Sequence, residues 1–202
     1  MAGLLLKDYY NLKSQLKMLG LFLILFLVLA ISMKNSGFFA GIAMMLAVMM
    51  PVTALAYDER AKWDQFAVTM PVTRTQIVGS KYLLGILFMA GSCILSTIIA
   101  YIIEKFSFSD TFQFFCIFFS IGTIIQAILL PLMFQFGTEK GRFILIGVIG
   151  IPVIIVALLI QPGFQIDFHL ISLLLKVAPI IAIFIYVVSL FVSITIYRKK
   201  EL

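Results

Sequence analysis

Few residues in this chain are equipped to do chemistry, and most of them fall in one segment. Between Tyr57 and Ile77 the sequence gathers Asp58, Glu59, Arg60, Lys62, Asp64 and Arg74 around Trp63, the only tryptophan. Elsewhere the inventory is thin. His169 is the only histidine, so neither a zinc pair nor an HExxH helix can be built. Gly79-Ser80-Lys81 lacks the preceding glycine of a phosphate-binding loop, so the chain is not expected to hydrolyse ATP. No nucleophile motif points to a hydrolase. What remains is recognition through charge, one indole ring and a large apolar surface.

The elements that must carry these residues are six apolar runs, at about 16–33, 38–57, 82–103, 112–136, 143–160 and 177–197. Each reaches, or nearly reaches, the roughly 20 residues with which a helix crosses about 30 Å of hydrocarbon. Backbone polar groups inside a bilayer must pair internally, which leaves helices as the spanning structure. The 202 residues are 63% hydrophobic and 12% charged, whereas an ordinary soluble domain is about a quarter charged. The expected fold is therefore all-α and polytopic, a single transmembrane domain over 1–202 with six spans.

Charge placement sets the expected topology. With the N-terminus inside, twelve basic residues (Lys7, Lys13, Lys17, Arg60, Lys62, Arg74, Lys81, Lys140, Arg142, Arg198, Lys199, Lys200) face the cytoplasm. Only Lys34, Lys105 and Lys176 fall outside. That asymmetry places both termini in the cytoplasm, and it reads as a topology signal rather than a nucleic-acid patch. Cys93 and Cys116 lie within spans and are expected to act as small apolar residues, without a disulfide.

Ahead of the first span, Leu5, Tyr9, Leu12 and Leu16 share one helical stripe, predicting an interfacial elbow helix over 1–15 with its lysines near anionic lipid. No ionisable residue lies near a span midplane, where a charge costs about 2.5 kcal/mol or more. Ion-coupled transport is disfavoured on that ground. The candidates for a substrate pathway are Met45 and Met49 in the second span and Gln126 and Gln135 in the fourth. Residues 161–176 are too apolar for a solvated loop, and they predict a re-entrant or interfacial element with Phe164, Phe168 and His169 as a candidate extracellular gate.

The Tyr57–Ile77 loop reads as a short amphipathic helix across the cytoplasmic end of the bundle. Asp58 and Glu59 suit its start by complementing the helix dipole. Trp63, Phe66, Ala67 and Met70 supply an apolar stripe, and Pro71 ends it. Thr73 and Gln76 fit a capping box that restarts a helix through Lys81 into the third span. Such a helix either pins two spans or docks a soluble partner.

Asp58-Glu59-Arg60-x-Lys62-Trp63-Asp64, then Met70-Pro71-Val72-Thr73-Arg74 and Ser80-Lys81-Tyr82, resembles the corresponding segment of ABC-2 type transporter permeases. More narrowly it is similar to the permease subunits of bacterial phenol-soluble modulin exporters, with Met70 where those usually carry leucine. The resemblance implies a type V exporter-like fold and a coupling helix over 58–73, whose Asp58, Glu59, Arg60, Lys62, Trp63, Asp64, Phe66 and Met70 meet a separate cytoplasmic ABC ATPase. It further implies that ATP and magnesium are bound by that partner, that two permease copies or a copy and a paralogue form a twelve-span pore in a bacterial cell membrane, and that amphipathic peptides are the cargo. Export of lipid, drugs or antimicrobial peptides for self-protection, and a non-transporting membrane anchor or sensor recruiting a cytoplasmic regulator, remain open at this level.

Overall fold

Long apolar stretches free of competing turn residues propagate as helix, and here they propagate further than the apolar runs themselves. In the computed structural model, which describes residues 2–67, 69, 71–159 and 168–199, the chain forms α1 (Ala2–Met33), α2 (Ser36–Arg60), α3 (Trp63–Ala67), α4 (Arg74–Glu104), α5 (Phe108–Leu159) and α6 (Phe168–Lys199). Among the described residues there is no strand. Among the described residues, five stretches are long and apolar enough to cross a membrane: Gly3–Met33, Ser36–Arg60, Arg74–Glu104, Phe108–Thr138 and Val177–Lys199.

α1 runs unbroken for 32 residues, about 48 Å at 1.5 Å per residue, so the expected elbow and first span are one continuous helix. Its inward stripe is Leu4, Asp8, Leu12 and, further along, Ala30, all buried. Most of its remaining apolar side chains face outward. α2 packs along α4 and α5, and α5 along α6. The core divides by depth. Ala30, Phe39, Ala43 and Ile99 close one end, and Ala47, Val48, Met89, Cys93, Leu129 and Met133 fill the middle. Leu4, Ala67, Val78, Tyr82, Phe134 and Tyr197 close the other end.

The turns are tight. Lys34, Lys62 and Lys105 each adopt a left-handed conformation, with φ of 51°, 49° and 51°. Asn35 caps α2 by accepting the Phe38 N–H at 3.1 Å, and the Glu104 carboxylate accepts the Ser36 N–H at 2.7 Å. One acid thus ties the end of α4 to the start of α2.

Two expectations about boundaries are corrected. A loop was expected over 137–142, but the helix breaks at Gly137 alone (φ 79°, ψ 168°) and continues to Leu159. The expected fifth span therefore lies on the second arm of α5. Residues 161–167 lie outside the described residues, and 168–176 belong to α6, which passes through Pro179 without interruption.

Candidate functional site at the charged end of the bundle

The first turns of α1 bring Lys7 and Asp8 to the end of α2 and the start of α4. Lys81 Nζ lies 2.7 Å from Asp8 Oδ1 and 2.7 Å from Asp58 Oδ2, and its side chain is only 1% exposed. Lys7 Nζ lies 2.6 Å from Asp58 Oδ1 and 3.4 Å from Asp8 Oδ1. Two cations and two carboxylates form a closed, neutral unit. Neutrality matters here, because a lone charge at this depth would carry a desolvation penalty of several kcal/mol.

This arrangement revises the expected role of Asp58 and Glu59. Rather than opening a coupling helix, both sit at the C-terminal end of α2, which continues to Arg60. Negative charge is unfavourable beside the carbonyl end of a helix. For Asp58 that cost is offset by its two ammonium partners. Glu59 instead reaches α5, where its carboxylate accepts the Thr138 N–H at 2.9 and 3.1 Å and the Thr138 hydroxyl. Thr138 directly follows the break at Gly137, so Glu59 acts as the N-terminal cap of the second arm of α5. A Cβ on Gly137 would lie 3.2 Å from Glu59 Oε1, and the positive φ there favours glycine independently. A Cβ on Gly141 would collide with the Met133 thioether, so the second arm folds closely over the first.

α3 rests on this unit. Lys7 Nζ stands 4.1 Å from the centre of the Trp63 ring, a cation–π contact. Ala67, one turn on from Trp63, is buried against Leu4, Ile77 and Tyr82. Phe66 points the other way and is 60% exposed. The expected stripe of Trp63, Phe66, Ala67 and Met70 is thus divided, with Trp63 and Ala67 facing the bundle and Phe66 facing outward. Arg60 and Lys62 are exposed. The Asp64 side chain and Met70 lie outside the described residues.

α4 starts with the capping box expected from the sequence: Thr73 Oγ1 accepts the Gln76 N–H and the Gln76 carboxamide accepts the Thr73 N–H. The next residue, Arg74, donates to the Arg198 carbonyl at 2.8 Å. Cationic donors at a helix C-terminus satisfy its free carbonyls and complement its dipole. The last turn of α6 is therefore held at the same end of the bundle as Lys7.

Deeper in, a polar seam joins α4, α5 and α6. Tyr82 OH lies 2.7 Å from both Ser189 Oγ and Ser193 Oγ, and Tyr186 OH donates to the Tyr82 carbonyl at 2.7 Å. Ser189 Oγ donates in turn to the Ala127 carbonyl. Gln126 Nε2 donates at 3.3 Å to the Ala47 and Gly85 carbonyls.

The four candidate pathway residues are not brought together. Gln126 is buried in the helix packing just described, whereas Gln135 and Met45 are exposed. Met49 lines a cavity of about 200 Å³ with Gln15, Thr53, Tyr57, Arg60 and Thr138. Of the candidate gate, Phe164 and the side chains of Phe168 and His169 lie outside the described residues. Among the described residues no group of three or more His, Cys, Asp or Glu could hold a metal ion.

Sequence reasoning used Lys7 and Lys81 only as topology charges, with Lys81 also in the Ser80-Lys81-Tyr82 motif, and did not single out Asp8 or the pairing of the three. Their signal was present: Asp8 falls midway between Leu4 and Leu12 at spacings of four, and Lys81 lies between Ile77 and Leu84 on the buried face of α4. Charged residues on an otherwise apolar inward stripe call for partners.

No curated protein and no solved structure matches the chain. The family model described as ABC-2 family transporter protein matches residues 3–198. With its apolar helices and its charged, tryptophan-bearing end, the chain therefore belongs to the ABC-2 family of transporter proteins.

Proposed function

We propose that this chain is the membrane-spanning subunit of an ATP-driven exporter of amphipathic peptides, worked by a separate ATPase that grips α3. The observation that carries the reading is the division of α3: Trp63 and Ala67 anchor it to the bundle, while Phe66 is left 60% exposed at its surface. An exposed aromatic on a rigidly seated element is the kind of anchor that supplies about 2 kcal/mol or more at a protein interface. Exposed ion pairs contribute only about 0.2–1 kcal/mol each.

In this reading the charged end faces the cytoplasm, in line with the excess of basic residues there. The helices make six crossings, with both arms of α5 spanning. Support for an even number comes from the Arg74 contact with Arg198 and the Asp8 contact with Lys81, which hold both ends of the chain at one end of the bundle. Two copies, or one copy and a paralogue, pair to enclose the pathway. A pull on α3 reaches α1 through Lys7, α2 and α4 through the four-charge unit, and α5 through Glu59 and Thr138. Shifting a two-state bundle from mostly closed to mostly open needs about 5.5 kcal/mol of differential binding, so the motor's grip must be apolar as well as charged.

The test is transport in vesicles reconstituted with the chain and its co-purified ATPase. ATP-dependent movement of a synthetic amphipathic helical peptide, lost in Phe66→Ala, is the expected result. Movement of phospholipid or a small drug with no movement of peptide would overturn the cargo assignment and keep the permease. Solute transport by the chain alone on an ion gradient would overturn both.

A further inference from the structure

Two apolar grooves run along the outer side of α1 and α4. One, of about 300 Å³, is lined by Leu5, Tyr9, Leu84, Leu87 and Phe88. The second, of about 290 Å³, continues from the same Leu87 and Phe88 deeper into the bundle, between Gly20 on α1 and Gly91 on α4. A Cβ at Gly20 or Gly91 would meet nothing within 4 Å. These glycines therefore widen an open channel rather than allow two helices to touch.

Among the described residues no charged one lines either groove, and the nearest cations on α1 by helix position are Lys13 and Lys17. Lys13 lies four residues after Tyr9 and three before Leu16, which puts it on the groove side of α1 at the junction of the two grooves. Lys17 follows one turn later, and both lysines are exposed. Neither has an ion-pair partner among the described residues, whereas the neighbouring Lys7 and Lys81 are fully engaged. Helical side chains lean toward the helix N-terminus, so both ammonium groups tilt back toward the charged end, where lipid headgroups lie. Apolar walls beside two exposed lysines without ion-pair partners among the described residues match one class of molecule.

We infer that this channel holds an anionic phospholipid, one acyl chain along the Gly20–Gly91 groove and its phosphate on Lys13 and Lys17. The site lies in the leaflet at the charged end. It depends on the chain spanning a membrane, and is independent of the cargo and of the ATPase.

The test is native mass spectrometry of the full chain released from vesicles of equal parts phosphatidylglycerol and phosphatidylcholine. The wild type is expected to retain phosphatidylglycerol preferentially, with each lysine contributing about five-fold. Lys13→Gln with Lys17→Gln should abolish the preference, and Lys13→Arg with Lys17→Arg should keep it. Gly20→Leu with Gly91→Leu fills open space, and should lower retention of both lipids without lowering the melting temperature. Unchanged preference in the double Gln variant, or unchanged retention in the double Leu variant, would overturn the assignment. So would a disulfide between two copies of a Gly91→Cys chain that carry no bound lipid, because the groove's occupant would then be a second copy.

Discussion

Lys81 and Asp8 meet at 2.7 Å across 73 residues of sequence, each 1% exposed, and their contact fastens the first turns of the chain to the helix that follows α3. Asp58 and Lys7 complete the unit, so three helices, α1, α2 and α4, share one electrostatic knot. Removing one member leaves a charge without compensation. Lys81→Met is expected to destabilise the protein by about 3–5 kcal/mol, read as a fall in melting temperature in detergent or nanodiscs. The double variant Lys81→Met with Asp8→Leu leaves Lys7 paired with Asp58 and should recover most of that loss. A double variant no more stable than the single would show that the knot is not a charge-balanced unit.

Gly137 carries a second expectation. Its φ of 79° with ψ of 168° lies in a region reserved for glycine, where other residues cost about 1–3 kcal/mol. Gly137→Ala should destabilise by that amount or more, since the new methyl also approaches the Glu59 carboxylate. Gly20→Ala, in open helical surroundings, should be neutral or mildly stabilising. Equal melting temperatures for the two variants would rule out the sharp break.

Glu59 tests the link from α2 to α5. Glu59→Gln keeps the size of the side chain and removes the charge that receives the Thr138 N–H. A loss of about 0.5–2 kcal/mol, the range for a helix cap, is expected in thermal unfolding. In the assembled complex, cargo-stimulated ATP hydrolysis should fall more than basal hydrolysis. A variant with full stimulation would show that this clamp carries no motion.

Tyr82→Phe removes the hydroxyl shared by Ser189 and Ser193. Polar contacts between helices within a membrane average about 0.6 kcal/mol, with a maximum near 1.7. A modest drop in melting temperature is expected, with α3 docking retained. Loss of the ATPase from this variant would place the seam in the docking path, contrary to its position beneath the charged end.

What was legible in the sequence was local. The Thr73–Gln76 capping box spans three residues, and composition alone marks five of the six expected spans, those that lie on helices long and apolar enough to cross a membrane among the described residues. The elbow was expected as a separate element because Leu5, Tyr9 and Leu12 look amphipathic in isolation, whereas Asp8 on the inward face finds Lys81 and fastens the first turns to the bundle as part of one continuous α1. Asp58 and Glu59 resemble a helix start by composition. Only partners 51 to 79 residues away, Lys7 and Thr138, show why they can end one instead. Phe66 was expected on the same stripe as Ala67, but adjacent residues lie about 100° apart around a helix, so with Ala67 buried against the bundle Phe66 turns outward.

The most direct measurement of the central claim is affinity purification of the chain from its native membrane, with identification of whatever ATPase accompanies it. The wild type should retain an ABC ATPase. Phe66→Ala should lose most of it while inserting and melting normally, and Trp63→Ala with Phe66→Ala should lose all of it. A wild-type chain that brings down no ATPase, or a double variant that retains it in full, would contradict a conduit driven through α3.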